Sequence, residues 1–282
     1  MPNLRLRQFA GAVFLFSLLG SAAALTWPNG AKSAISLSHD DGWPSQLTQA
    51  TTMENYGFRG TFYLTPGGLP VVAANATSWR SVFQRGHEVG NHSYSHWGSA
   101  TLATKSWVDV ATDVGTNEQW LLTNIYSNTP VDHTYAYPEG NYIVGPQSSS
   151  QHRQVGACEY AALLSAVLTG ATIAGSGEND PNNVAQRRFF ISRLPISGDD
   201  ATAFNTAKAA IDNGIAKGTW TVLVFHSLGD SGDGNAISQS AYQQIVNYIY
   251  TKGSNLWVQP VVTIKNYVLA NTPSNAWNCL LP

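Results

Sequence analysis

Short apolar runs rich in β-branched and aromatic residues alternate with helical stretches along almost the whole chain, and that alternation is the strongest constraint on its fold. Residues 34–38 read as a strand, and residues 44–56 as a helix with Pro44 in its first turn. Further strands are expected over 59–65, 87–91, 134–137, 188–195, 220–225 and 257–262. Helices are expected over 78–85, 105–125, 201–216, 238–250 and 263–269, while 147–186 shows no clear period. Repeated βα units require parallel strands joined by right-handed crossovers. The expectation is a single α/β domain, a distorted (β/α) barrel or one short by a strand. Its chemistry belongs at the C-terminal ends of the strands.

The first residues have the pattern of an export signal. Arg5 and Arg7 precede an apolar stretch over 9–19, and Ser21-Ala22-Ala23-Ala24 offers a small-residue cleavage site. Residues 1–24 are therefore expected to be a signal peptide, and the mature domain is expected to span 25–282, secreted or periplasmic. No membrane span is expected after the signal is removed. With 11% charged residues and a net charge of -2, the chain offers no electrostatic footprint for nucleic acid and no polybasic membrane signal. A monomer is expected. Cys158 and Cys279 are the only cysteines. They either pair in an oxidising compartment or stay buried as free thiols.

Chemistry concentrates where predicted strands end. Asp40-Asp41 follows the first strand, His92 and His96 stand four residues apart after a later one, and His226 follows 220–225. Two imidazoles and a carboxylate form the donor set of a catalytic divalent cation, and a second carboxylate beside them could act as a general base. Taken alone, two His in a polar loop are surface residues and Asp-Asp-Gly is a turn. Their shared position at strand ends argues for a site. Trp43, Tyr94, Trp97, Tyr137 and Tyr142 flank these segments, either as platforms for sugar rings or as packing at the barrel rim. His87, His133 and His152 read as core or surface histidines.

These motifs resemble those of the polysaccharide deacetylases, the nodulation-type catalytic domain of carbohydrate esterase family four, over about residues 32–270. The segment Ser38-His39-Asp40-Asp41-Gly42 stands where the family carries Thr-Phe-Asp-Asp-Gly. His92-Ser93-Tyr94-Ser95-His96 matches His-(Ser/Thr)-x-x-His in full, and Val224-Phe225-His226 is a looser form of Leu-x-His. The resemblance implies Asp40 as catalytic base, Asp41, His92 and His96 as metal ligands, and His226 as general acid. It also implies an oxyanion donor in the Glu139 N–H; of the flanking aromatics, Tyr137, Trp97 and Tyr142 are the ones expected beside the substrate. Zn²⁺ is the expected metal, with Co²⁺ or Ni²⁺ as substitutes. The partner implied is an acetylated polysaccharide or oligosaccharide.

The chain departs from the family pattern in three places. Ala136-Tyr137-Pro138-Glu139-Gly140 lacks the Arg that opens the family's third motif, and Arg193 is the candidate to orient the base in its place. The family's Asp-Trp motif is not recognisable, so Asp230 or Asp233 is expected to support His226. His39 replaces a Phe and is expected beneath the metal or against a ligand carboxylate. The activity implied is hydrolysis of N-acetyl groups on a GlcNAc-containing glycan of the chitin type, releasing acetate. Two alternatives stay open: an acetylxylan esterase on the same site, and a barrel that binds carbohydrate without cutting it. The run Gly229-Asp230-Ser231-Gly232 resembles a serine-protease segment, but those enzymes are double β-barrels, which this alternation excludes.

Overall fold

The computed structural model describes residues 25–145, 150–230, 232–272, 277 and 279, with the side chains of 150–155 left aside. The expected signal segment 1–24 lies outside the described residues. The chain alternates strands and helices: β1 Ser33–His39, α1 Gln46–Asn55, β2 Thr61–Leu64, α2 Val71–Ala74, α3 Ala76–Gln84, β3 Glu88–Asn91. It continues through α4 Ser99–Leu102, α5 Trp107–Asn124, β4 Tyr135–Ala136, α6 Ser150–Ser165, β5 Ala171–Ala174, β6 Glu178–Asn179 and α7 Pro181–Val184. Its last part is β7 Ile191–Pro195, α8 Asp200–Lys217, β8 Trp220–Phe225, α9 Gln239–Thr251, β9 Leu256–Val258 and α10 Val261–Asn271.

Strands β1, β2, β3, β4, β5, β7 and β8 are all parallel, and β8 returns to pair with β1, so they close a seven-stranded barrel. This is the expected barrel, one strand short of eight. The first strand explains how the barrel is divided. Its alternate residues Ile35 and Leu37 join the apolar layer under α1, α8 and α9, while Ser36 and Ser38 turn inward. The Ser36 hydroxyl accepts from the Trp220 indole at 3.1 Å, and the Ser38 hydroxyl donates to the Leu223 carbonyl at 2.9 Å. The β1 edge facing β2 is shared: Ser38 and His39 pair with β2, while Ser33 to Ile35 pair with β9.

The opposite end of the barrel is closed by a carboxylate. Glu88 accepts hydrogen bonds from the Thr61 and Thr134 hydroxyls, the Thr134 N–H and the Val262 N–H, all between 2.7 and 2.9 Å. The last helix thus presents its N-terminus to a buried anion, a favourable dipole arrangement. Pro260 starts this helix at Val261 and ends β9 at Val258, so the strand expected to run to residue 262 is shorter and the helix longer. The unassigned interval contains β5, whose four residues Ala-Thr-Ile-Ala are too few and too small to signal a strand. Cys158 and Cys279 form a disulfide with Cα atoms 5.2 Å apart, tying α6 to the C-terminal segment. No helix among the described residues is long and apolar enough to cross a membrane.

Candidate metal centre and its rim

The C-terminal strand ends bring together residues from four separated segments. Asp41 Oδ1 lies 3.3 Å from His92 Nε2 and 3.2 Å from His96 Nε2, and the three donor atoms fall within 4.8 Å of one another. His92 Nδ1 lies 2.8 Å from the Ala136 carbonyl. That bond requires the proton on Nδ1 and leaves the Nε2 lone pair facing Asp41, as a metal-binding imidazole needs. Trp43 donates its indole N–H to Asp41 Oδ2 at 3.0 Å. One carboxylate oxygen is thereby held and the other left to the cluster. The donor set fits a divalent cation of the zinc type.

Electrostatics follow from the crowding. Burial pushes Asp41 up, but the adjacent His92 and His96 imidazoles hold it far below the ordinary carboxylate range. Burial pushes His96 down, and the Asp41 contact more than reverses this, raising it overall. Asp40, 5% exposed, is likewise pushed up by burial, yet the Arg193 guanidinium and His92 keep it lowered. Arg193 Nη1 and Nη2 reach Asp40 Oδ1 and Oδ2 at 2.5 and 2.9 Å, the fork geometry of a bidentate pair. Arg193 is itself 2% exposed and lies over the Tyr63 ring, its Cζ 5.2 Å from the centroid. Asp40 Oδ2 is 3.8 Å from His92 Nε2, so the candidate base borders the donor cluster.

The ligand loops are held in conformations that a free chain avoids. Seven described non-glycine residues have positive φ, and four belong to this rim: Asp41 at 80°, Ser93 at 58°, His96 at 50° and Glu139 at 52°. Such backbone costs about 1–3 kcal/mol per residue and persists only where its surroundings enforce it. After Asp41, Gly42 has φ 88°, and a Cβ there would lie 2.7 Å from a Val72 methyl. This explains the Asp-Asp-Gly order. The histidine loop is fixed from α5: Asp113 accepts from the Tyr94 and Ser95 N–H groups at 3.2 and 3.0 Å. Asn117 donates to Ser93 O, Leu64 O and Asn91 Oδ1 at 2.8 to 2.9 Å.

Several expectations need correction. Tyr137 is completely buried, stacked on Phe190 and edge-on to Tyr135 and Tyr160, so it packs the core and offers no face to substrate. The two-residue period of β1 sends His39 outward, against Phe62 and the Tyr242 hydroxyl at 2.9 Å, so it bonds no ligand carboxylate. Burial lowers its pKa to about 3 and keeps it neutral. Neither Asp230 nor Asp233 supports His226. Asp230 accepts from Ser45, and Asp233 accepts from the Ser227 and Asn235 N–H groups. His226 follows β8 at the rim, and its ring has no hydrogen-bond partner among the described residues. Gln46 donates to both the Asp40 and His226 carbonyls, at 2.5 and 3.3 Å, fastening the two loops together.

Glu139 is exposed, its carboxylate accepting from the Ser99 N–H at 3.0 Å. Trp97 and Tyr142 are half-buried. The Lys105 ammonium sits 4.3 Å from the Trp97 ring centroid, and Tyr142 meets Phe190 edge-on. Sequence reasoning missed Trp43 as a partner of Asp41, and Asp113 and Asn117 as anchors of the histidine loop. A signal for the last two existed. On α5 the buried residues are Val110, Asp113, Val114, Asn117 and Leu121, so polar side chains occupy apolar-face positions.

Residues 28–153 match the family model described as polysaccharide deacetylase. No curated protein matches the sequence. Among solved structures, a candidate polysaccharide deacetylase from Mycobacterium smegmatis aligns with TM-score 0.60 at 15% identity, covering 89% of this chain and 95% of that one. The peptidoglycan deacetylase PdaC from Bacillus subtilis aligns with TM-score 0.52 at 17% identity, covering 83% and 91%. A carbohydrate esterase family four pseudoenzyme from Bacillus anthracis aligns with TM-score 0.52 at 14% identity, covering 87% and 69%. At these identities the likeness is one of fold. Arg193 and His226 lie beyond the matched stretch.

Proposed function

We propose that this chain, whose residues 28–153 match the polysaccharide deacetylase family, is an exported, metal-dependent hydrolase that removes N-acetyl groups from a GlcNAc-containing glycan. The observation that carries this reading is the Asp40 carboxylate, clamped by Arg193 and lying 3.8 Å from a nitrogen of the Asp41, His92 and His96 cluster. An ionised base beside a cation-binding triad is the minimum for hydrolysing an amide. Asp41, His92 and His96 would hold the cation, Zn²⁺ before Co²⁺ or Ni²⁺. When bound it supplies Lewis acidity, polarising an acyl oxygen and making a water acidic.

The chain's own groups would do the rest. Asp40 takes the proton of the attacking water, and Arg193 keeps it ionised and fixed in orientation. The Glu139 N–H donates to the oxyanion, a contact typically worth about 3 kcal/mol. His226 returns a proton to the departing amine. The disulfide supports an oxidising compartment and hence removal of residues 1–24. The mature chain is proposed to act as a monomer.

One observation favours a second reading. Among the described residues the His226 ring lacks an orienting partner, and an ester, whose alkoxide leaves with less help from an acid, suffers less from that than an amide. An O-acetyl esterase on the same residues is therefore the alternative. The binding-only reading rested on the missing motif Arg, and the Arg193 contacts count against it. The deciding assay is acetate release by the mature chain with Zn²⁺, Co²⁺ or Ni²⁺, from chitooligosaccharides and from acetylxylan. His92→Ala is the control. Release from chitooligosaccharides that disappears in the variant is expected. Release from acetylxylan alone would assign an esterase, and silence on both would overturn hydrolysis of either.

A further inference from the structure

We infer that Tyr63, a residue outside every motif of the site, is a positioning residue for Arg193 and through it for Asp40. Its own place is set by Glu88 at the opposite end of the barrel. The inference rests on the reading above, in which Asp40 is the base.

Strand β2 divides its residues between two faces. Phe62 and Leu64 join the apolar layer outside the barrel, so Thr61 and Tyr63 turn inward. There the Arg193 Cζ lies 5.2 Å from the Tyr63 ring centroid, and both residues are buried. The Asp40 fork occupies Nη1 and Nη2, and Nη1 also reaches the Ser38 hydroxyl at 3.5 Å. The Arg193 Nε is buried without a hydrogen-bond partner. The fork holds guanidinium and carboxylate edge to edge, and the ring face opposes a tilt out of that plane. With the cation desolvated, such a contact is worth about five- to thirtyfold in an equilibrium constant.

The ring is itself fixed. Its hydroxyl lies 2.7 Å from Thr134 Oγ1, which donates to Glu88 Oε1 at 2.7 Å. A threonine hydroxyl carries one proton, so Tyr63 is the donor to Thr134. Glu88 is held in turn by the Thr61 hydroxyl and by the Thr134 and Val262 N–H groups. Beside the ring stands Gly90, where a Cβ would come within 2.7 Å of Tyr63 Cδ1. Glu88, Thr134, Tyr63, Arg193 and Asp40 thus form one column of contacts through the barrel. The Tyr63 ring also stands 6.5 Å from the His92 ring, so an effect through the metal ligand has to be told apart from one through Arg193.

Two measurements test the inference, one of them independent of turnover. The first follows the Arg193 side-chain resonances of the metal-free chain with isotope-labelled arginine, assigned by their loss in Arg193→Met. An upfield ring-current shift is expected there, absent in Tyr63→Leu. Tyr63→Phe and Thr134→Val each remove the hydroxyl anchor and should weaken the shift to the same extent. The second uses whichever acetylated oligosaccharide the unmutated chain hydrolyses. In Tyr63→Leu, kcat should fall about tenfold, with KM and Zn²⁺ affinity from chelator competition within about twofold of the unmutated values. Tyr63→Phe and Thr134→Val should each lose about threefold, and the double variant no more than either, because both delete one bond.

An Arg193 resonance unmoved by Tyr63→Leu, or an unchanged kcat in all three variants, would overturn the inference. So would a loss of Zn²⁺ affinity equal to that of kcat, which routes the effect through His92. If Tyr63→Leu does not fold, the Tyr63→Phe and Thr134→Val pair decides, and additive losses or none would overturn it. The expected resonance shifts in a chain that releases no acetate would keep Tyr63 as the support of Arg193 and remove the deacetylase reading. Acetate release with a kcat indifferent to Tyr63 would do the reverse.

Discussion

Arg193 grips both carboxylate oxygens of Asp40, at 2.5 and 2.9 Å, from 153 positions further along the chain. The pair is buried, so each charge depends on the other. Arg193→Met keeps bulk but leaves an unpaired carboxylate in the barrel, and a loss of about 3–5 kcal/mol of stability is expected. Arg193 and His92 oppose the upward push of burial on Asp40. Without Arg193 the base must lose its proton at higher pH. The acid limb of the kcat/KM profile for acetate release should move upward, with kcat reduced. An unchanged limb would separate Arg193 from the tuning of Asp40.

Trp43 presents a finer test. Its indole N–H holds Asp41 Oδ2 at 3.0 Å. Trp43→Phe preserves the ring and deletes the donor, so the carboxylate should swing more freely. Zn²⁺ affinity, measured by competition with a chelator, is expected to fall about 10–100-fold, with the melting temperature of the metal-free chain nearly unchanged. Unaltered affinity would reduce Trp43 to a packing residue.

Asp113 should matter to the same measurement from a distance. It accepts two N–H groups of the histidine loop, from Tyr94 and Ser95. Asp113→Asn turns one acceptor into an NH₂ facing an N–H, and about 1–3 kcal/mol should be lost. Part of that loss is expected as weaker Zn²⁺ binding, because the loop carries His92 and His96. A loss confined to thermal stability would show that the loop holds its shape without this anchor.

Acid stability offers a prediction independent of catalysis. His87 is 2% exposed, and burial lowers its pKa from 6.5 to about 4 although Glu54 lies 2.9 Å away. Between those values the unfolded chain binds a proton that the folded chain refuses. Stability is complete above pH 6.5 and falls on acidification, by on the order of 3 kcal/mol at about 1.4 kcal/mol per pH unit. His87→Gln can accept from the Gly60 N–H and donate to Glu54 as the imidazole does. It should flatten the loss between pH 6.5 and 4 in urea titrations, and an unchanged slope would assign the acid sensitivity elsewhere.

What the sequence revealed and what it concealed divide along physical lines. The barrel was legible because β-branched runs such as 220–225 alternate with helical periods, and that strand ends where expected. The donor triad was legible because Asp41, His92 and His96 lie within two short motifs. Arg193 was reachable only by noticing a missing cation and searching other strands. Tyr137 and His39 were misplaced for one reason: a motif locates a residue along the chain, while the side of the wall it faces depends on register. Trp43 was seen only as a ring because its donor N–H matters solely through the position of Asp41.

The pairing of β1 governs when this molecule can come into being. One edge of that early strand is occupied by β8, and the lower half of its other edge by β9. The carboxylate of Glu88 likewise awaits the N–H of Val262. The first strand is therefore completed only by strands that lie far along the sequence, and the barrel cannot close before β8 is available. Contacts of such sequence separation are slow to form and leave strand edges uncovered meanwhile. The donor triad lies wholly within residues 41–96, but its neighbouring base Asp40 gains its Arg193 clamp only when β7 has joined the wall.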